Sequence, residues 1–424
     1  MPSKTIAQNT VTPIKTNRVI WYGFLSVLVL IGVYGLIMRM EMGLISTNLT
    51  SNVPWGAWVA FYIYFVGLSA GAFLLSSLIF VFGMEKYEKI GREALLAAIL
   101  SMVLAMMFIS LDLGRMERFW HSLVYFNPFS VLAYEVRFYG LYVLILIAEL
   151  YLSMRQDLIK NARKNDLKGK IAKICSLGST DLSKESEARD HKWLKILGSI
   201  GIPIAIFGVH GGTGALFAVV KAQHYWNSAV FPVIFVVSAL VSGTALLITF
   251  YIIRQKVKGG RVDKAMVQSL AGLMIGFLIV DIGLQFYEYL ISAYSLDHQA
   301  LDTLAILFGG KFSFIAFWLV QTFIGAVVPI FLYLKFKESV NALLTAAIMV
   351  VLGIVAVRFN IVVPPLLIPQ LAGLSGGYYF PSSVEWMTSV GVIGFGLLLY
   401  SLAVSILPVD LSRPIEKMGE RSER

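Results

Sequence analysis

Twelve ionisable residues stand in or beside long apolar stretches of this sequence: Asp112, Arg115, Glu117, Arg118, His121, Glu135, Arg137, Glu149, His210, Asp281, Glu288 and Arg358. A charge among apolar neighbours is costly to keep, so each is a candidate for chemistry. The carboxylates and His210 are suited to proton exchange. Asp281 is the sharpest of them, because Ile279, Val280 and Ile282 surround it and nothing nearby in sequence pairs with it. Each group also has a plainer reading. Arg115, Glu117 and Arg118 read as interfacial loop charges, and Glu135 and Arg137 as charges in a structural ion pair with neighbours. Glu149 reads as a side chain snorkelling to the interface, His210 as a packed histidine, and Asp281 as a hydrogen-bonding link to a neighbouring helix. Small residues accompany these groups. Gly67, Ala70 and Gly71 share one side of a helix and suit close packing. Gly208, Gly211, Gly212 and Gly214 surround His210, where backbone or ligand approaches closely. Met102, Met106 and Met107 read as packing residues rather than ligands.

The elements that position these residues follow from composition. The 424 residues are 58% hydrophobic and only 14% charged, with a mean hydropathy of +0.77. A soluble domain carries about 25% charge, so this chain has lipid as its solvent. Apolar runs lie at 19–38, 57–82, 94–113, 131–153, 194–219, 228–252, 268–292, 312–334, 341–357 and 386–407. Each is long enough for a membrane helix. The first lacks a small-residue cleavage site and reads as a membrane helix rather than a removed signal. The fold class is therefore all-α integral membrane with about ten transmembrane helices. A tail at 1–18 precedes a polytopic membrane domain at 19–408, and a tail at 409–424 follows it.

Basic residues set the orientation. Lys4, Lys15 and Arg18, then Lys86, Lys89 and Arg92, then the densely basic loop 154–193, then Arg254 to Lys264, then Arg413, Lys417, Arg421 and Arg424 fall on one side. Arg39, Arg115, Arg118, Lys221, Lys311 and Arg358 are the sparse charges of the other. The alternation holds through ten spans and puts both termini and loop 154–193, read as a mobile connection, in the cytoplasm. It puts every candidate except Glu149 in the outer half of the membrane, with Asp112 and Arg115 on one face at the end of the third helix and Arg358 closing the ninth. The expected location is a prokaryotic cytoplasmic (inner) membrane. The net charge of +10 belongs to these loops, so nucleic acid is excluded as a partner and the lipid bilayer is the expected one. Cys175 is the single cysteine, which excludes an iron–sulfur cluster held by this chain. His121, His191, His224 and His298 fall in loops, leaving His210 alone within a span and no pair for bis-histidine haem.

Several stretches carry a resemblance. WGAWVAFYIYFVGLSAGAFLLSSL at 55–78, LDLGRMERFWH at 111–121, HGGTGALF at 210–217, VRFN at 357–360 and YFPSSVEW at 379–386 are similar to the NrfD/PsrC family, in its ten-helix, HybB-like branch. The likeness runs from about residue 55 to 408. It implies two antiparallel four-helix bundles with two added helices. It also implies a membrane subunit of a respiratory oxidoreductase that exchanges electrons with menaquinone or ubiquinone, without haem or iron–sulfur cluster of its own. The implied partners are an iron–sulfur, ferredoxin-like subunit and a catalytic subunit on the extracytoplasmic side. On matching positions the resemblance puts Asp112, Arg115, His210, Asp281 and Arg358 at or beside the quinone and proton sites. His121, Glu135, Arg137 and Glu288 complete the candidate site. Two departures stand out: Val357 precedes Arg358 where the family often has Asn, and no Arg accompanies Asp281. The competing readings are a secondary transporter, disfavoured because no pair of Gly/Pro-broken helices occupies corresponding positions in two halves, and a purely structural or proton-relay anchor without free quinone.

Overall fold

The computed structural model describes residues 17–369 and 376–410. The basic residues Lys4, Lys15, Arg413, Lys417, Arg421 and Arg424 of the two tails lie outside the described residues. Among the described residues ten helices are long and apolar enough to cross a membrane: α1 (Arg18–Ser46), α2 (Ala57–Phe80), α3 (Glu85–Asp112), α4 (Val131–Asn161), α5 (Lys184–Ala218), α6 (Phe231–Lys258), α7 (Lys264–Tyr294), α8 (Phe312–Phe336), α9 (Val340–Leu366) and α10 (Ser383–Ile406). Each coincides with one apolar run of the sequence, and among the described residues there is no strand. The chain is an all-α, multi-pass membrane protein.

Polar side chains set the helix starts. Asn17, Ser130, Ser183, Asp263 and Ser339 each accept a bond from a first-turn N–H of α1, α4, α5, α7 and α9. Ser382 and Glu385 form a reciprocal capping box on α10. Where α6 ends, Gly259 takes φ 65°, the left-handed conformation that a glycine adopts without strain.

α2 is the centre of the molecule. It packs against α3, α5, α6 and α9, and nearly all its side chains are buried, as expected of a helix that is apolar all round. α3, α4 and α5 contact one another in turn beside it; α6, α7, α8 and α9 do likewise on its other flank. α1 and α10 pair with each other, and α10 touches α3. Three crossings are glycine on glycine. A Cβ would stand 2.4 Å from backbone at Gly32 against Gly391, 2.3 Å at Gly243 against Gly71 and 2.3 Å at Gly353 against Gly325, so α1–α10, α2–α6 and α8–α9 approach to backbone contact.

Two boundaries differ from the sequence reading. α9 does not close at Arg358. It continues to Leu366 through Pro364 and Pro365, and Arg358 is fully buried within it. The 154–193 stretch is largely helical: α4 runs on to Asn161, a short helix covers Leu167–Cys175, and α5 begins at Lys184. Ion pairs support these extensions. Arg155 Nε donates to Asp190 at 2.8 Å and Arg92 Nη1 to Asp157 at 2.7 Å, while Arg254 makes two bonds to Glu93, at 3.0 and 2.8 Å. All six side chains are buried. Pairs of this kind fix one arrangement of helices more than they add stability.

Candidate functional site

The polar centre begins with an irregularity in α5. Pro203 lacks an N–H, and after it Ile204–His210 are wound as π-helical turns. These turns bring His210 against α2 and α9. Arg358 Nη2 lies 3.2 Å from His210 Nε2. Because arginine has only donors, the imidazole accepts at Nε2 and carries its hydrogen on Nδ1. Arg358 also lies over the Phe235 ring, 4.6 Å from its centroid. Gly67 of α2 leaves the room, since a Cβ there would stand 3.1 Å from the His210 ring. This glycine serves the site rather than helix packing; Gly71, against Ala239 and Gly243, serves packing.

Asp281 of α7 is buried, with Arg358 as its charged neighbour. Its Oδ2 accepts from Gln285 Nε2 at 2.7 Å. Gln285 Oε1 accepts from Gln321 of α8 at 2.9 Å, and Gln321 Oε1 accepts from Asn360 of α9 at 2.7 Å. Five enclosed atoms of this group have no partner: His210 Nδ1, Arg358 Nε and Nη1, Asp281 Oδ1 and Asn360 Oδ1. Buried polar atoms are nearly always satisfied, and these five have bonding capacity left for water or the polar part of a ligand. Glu288, two turns along α7 from Asp281, accepts from Ser228 at 2.7 Å.

A second group adjoins the first along α5. Tyr139 donates to Glu135 Oε1 at 2.5 Å, and its hydroxyl lies 2.6 Å from that of Tyr62 and 2.8 Å from Thr213 Oγ1. Glu135 is buried, and its Oε2 has no partner. Neither Glu135 nor Arg137 forms an ion pair with a neighbour among the described residues; Arg137 is bound otherwise. It donates to the carbonyls of Leu123 and Ala133 and lies over Phe126, holding the 113–130 loop.

Asp112 belongs to a third group, where α1, α3 and α10 meet. Arg39 is buried beside it and donates to the carbonyls of Leu111 and Leu113 at 3.1 and 2.7 Å. Asp112 Oδ1 has no partner. Trp58 Nε1 donates to Thr388 at 2.9 Å. Tyr379 donates to the buried Glu385, and burial beside that carboxylate pushes the Tyr379 phenol well above its ordinary value. An apolar cavity of ≈ 670 Å³ between α1, α3 and α10 reaches Ser110, Leu111 and Thr388. Met102, Met106 and Met107 line it, so these methionines border a space as well as packing.

The nine sequence candidates thus separate. His210, Asp281 and Arg358 come together, with Glu288 further along the same helix; Glu135 and Asp112 anchor groups of their own. Arg115 lies beyond the end of α3, exposed, and does not share a helical face with Asp112. His121 is half-buried in the 113–130 loop against Trp120 and Tyr125. Glu149 does not snorkel; it is 1% exposed. The glycines about His210 are filled by protein: Phe138 packs on Gly208 and Pro232 on Gly214. Gln285, Gln321 and Asn360 escaped a reading based on charge, although Asn360 stands inside VRFN. Arg39, a loop charge by its place in the sequence, is buried near the end of α1. Among the described residues no three of His, Cys, Asp or Glu gather as metal ligands. Irregular winding recurs in α8, over Ile315–Val327 before Pro329.

The sequence profile described as "Polysulphide reductase, NrfD" matches residues 45–370, from just before α2 to just after α9. The chain is 39% identical to a selenate reductase subunit of Mesobacillus selenatarsenatis over 92% of this chain and 94% of that one. It is 26% identical to the Hdr-like menaquinol oxidoreductase integral membrane subunit of Archaeoglobus fulgidus, over 92% and 93%. It is also 26% identical to the menaquinone reductase integral membrane subunit of Nitratidesulfovibrio vulgaris, over 92% and 91%. With a profile that spans eight of its ten helices and relatives aligned along nearly its whole length, the chain belongs to the NrfD family.

Proposed function

We propose that this chain is the quinone-interacting membrane subunit of a multi-subunit electron-transfer oxidoreductase. The observation that carries the reading is the ≈ 670 Å³ apolar cavity whose wall includes Ser110, Leu111, Met116 and Thr388; Asp112, which follows Leu111 along α3, has one unpartnered oxygen. An apolar space with two hydroxyl side chains on its wall suits a molecule with a prenyl chain and an oxygen-bearing ring. Two relatives, a menaquinol oxidoreductase subunit and a menaquinone reductase subunit, support it. Quinone is an exchangeable substrate in this reading, either menaquinone or ubiquinone. Its ring meets Asp112, and Asp281, His210 and Arg358 serve proton exchange. Electrons pass to or from an iron–sulfur subunit, itself joined to a catalytic subunit, on the side of the 113–130 loop. That loop offers exposed Arg115, Arg118, Tyr125 and Phe129, the mixture of arginine and aromatic side chains favoured at interfaces. The positive-inside count makes this side extracytoplasmic, in the cytoplasmic membrane.

The test uses the assembled complex. Asp112→Asn is expected to assemble and to slow quinone-linked turnover at least tenfold. Met106→Trp, which fills the cavity, is expected to raise the KM for quinol more than it lowers kcat. Parent kinetics in both variants would overturn the assignment.

A further inference from the structure

Glu149 of α4 takes part in none of these groups. It is 1% exposed, its Oε1 is enclosed, and neither oxygen has a hydrogen-bond or ion-pair partner among the described residues. Two buried cations of this end of the helix group are committed elsewhere: Arg155, about 9 Å further along the helix axis, to Asp190, and Arg92 to Asp157. α2 and α5 face it with Val81 and Gly198. A Cβ on Gly198 would stand 3.5 Å from Glu149 Oε1 and 2.5 Å from Val81. Tyr142 is its titratable neighbour. An unpaired carboxyl group is costly in an apolar interior. A metal ion would need several more oxygen ligands than this place offers. Proton exchange needs only the carboxyl group and a path.

α4 supplies the path. Glu135, Tyr139, Tyr142 and Glu149 recur at i, i+4, i+7 and i+14, on one face of the helix. They span about 21 Å along its axis. The Glu135–Tyr139–Tyr62–Thr213 hydroxyl group occupies the upper part. Next comes Tyr142, which donates to the Ser69 carbonyl at 3.0 Å and lies 3.2 Å from Ser69 Oγ. The last two turns before Glu149, about 10 Å, pass the buried Ile145 and Leu146. Phe73 stands at the head of this interval, 5.4 Å from the Tyr142 ring and wedged against Gly201. The column therefore consists of two polar groups, which no hydrogen bond joins among the described residues, and one apolar interval headed by Phe73, so protons pass along it only with intervening water.

We propose that Glu149 is a proton-exchange site, trading protons with the side of the membrane that bears loop 154–193 and passing them along this face of α4 to the Tyr139–Glu135 group. The route is separate from Asp281, and its end use rests on the quinone reading above. Reduction of a quinone by two electrons consumes two protons, and oxidation of a quinol returns them. Glu149 carries protons only, and the electrons travel by the iron–sulfur partner.

Two measurements test it. In proteoliposomes holding the assembled complex, Glu149→Gln is expected to assemble on a native gel and to lose at least tenfold in quinone-linked proton uptake from the 154–193 side, with Glu149→Asp restoring most of it. Parent-like uptake in Glu149→Gln from that side would overturn the proposal. The second measurement needs no quinone. In infrared spectra of the parent complex transferred to deuterated buffer, the carboxyl band assigned by its absence in Glu149→Gln is expected to shift within seconds. A band that stays unshifted for hours would overturn the proposal even if quinone turnover is normal. A prompt shift in a complex that never uses quinone would sink the functional reading and leave the exchange site standing.

Discussion

Replacing Gly67 by alanine probes the polar centre without touching a polar group. The new methyl carbon stands 3.1 Å from both Cε1 and Nε2 of His210 and 3.6 Å from Arg358 Nη2. Carbon contacts are comfortable from about 3.5 Å, so His210 must withdraw by a few tenths of an ångström. Its freedom is small, because the π-wound turn fixes its backbone and the Phe235 ring lies 5.2 Å away. The contact that yields is the one to Arg358, which at 3.2 Å is already at the long end of hydrogen bonding. A hydrogen bond to a charged group contributes about 1.5–3 kcal/mol. If turnover uses that contact, its loss slows the reaction roughly tenfold to 150-fold. Gly71→Ala, one turn further along α2, is the control. There the methyl would meet the Ala239 carbonyl oxygen at 1.9 Å and Gly243 Cα at 3.0 Å, backbone that cannot step aside, so α2 and α6 must part. Quinone-linked turnover and native gels of the assembled complex read both effects. Gly67→Ala should assemble and turn over slowly, whereas Gly71→Ala should fail to assemble. Parent turnover in Gly67→Ala, or normal assembly of Gly71→Ala, would refute the reasoning.

Two further outcomes are expected. In intact cells, a membrane-impermeant thiol reagent should miss Cys175 and label a cysteine introduced as Ser122→Cys in the exposed 113–130 loop; labelling of Cys175 would reverse the orientation. Asp281→Asn keeps an oxygen for the 2.7 Å bond from Gln285, so the complex should assemble, while quinone-linked turnover or its proton uptake falls strongly. Unchanged turnover with unchanged proton stoichiometry would make Asp281 a structural residue.

The ten spans were legible because hydropathy is a local property and lipid demands a long apolar run each time. The ends were less so. α4 and α5 outrun their apolar segments because Arg155 and Asp190 satisfy each other across the two helices, a pairing invisible along the chain. α9 seemed to stop at Val357 because a charge follows, yet Arg358 is held inside by His210 and Phe235. His210, Asp281 and Arg358 were found by their cost in lipid, which the sequence displays. Gln285, Gln321 and Asn360 carry no charge and came into view only through the bonds that join three helices. Glu149 was misread for the opposite reason: nearness to a basic loop suggests solvent, and burial depends on the neighbours that α2 and α5 bring.

The α1–α10 pair has a consequence for exchange kinetics. The family profile covers α2 to α9, so on that part alone the side of α3 bearing Met102 and Met106 would look straight onto lipid. α1 and α10, joined at Gly32 and Gly391, stand in front of it and turn an open surface into a walled space. A molecule on an open surface leaves by lateral diffusion in any direction, whereas one behind this wall must find the gap again. Under the proposed function, α1 and α10 would therefore slow both entry and departure of the quinone, setting how long it stays rather than how tightly it is held.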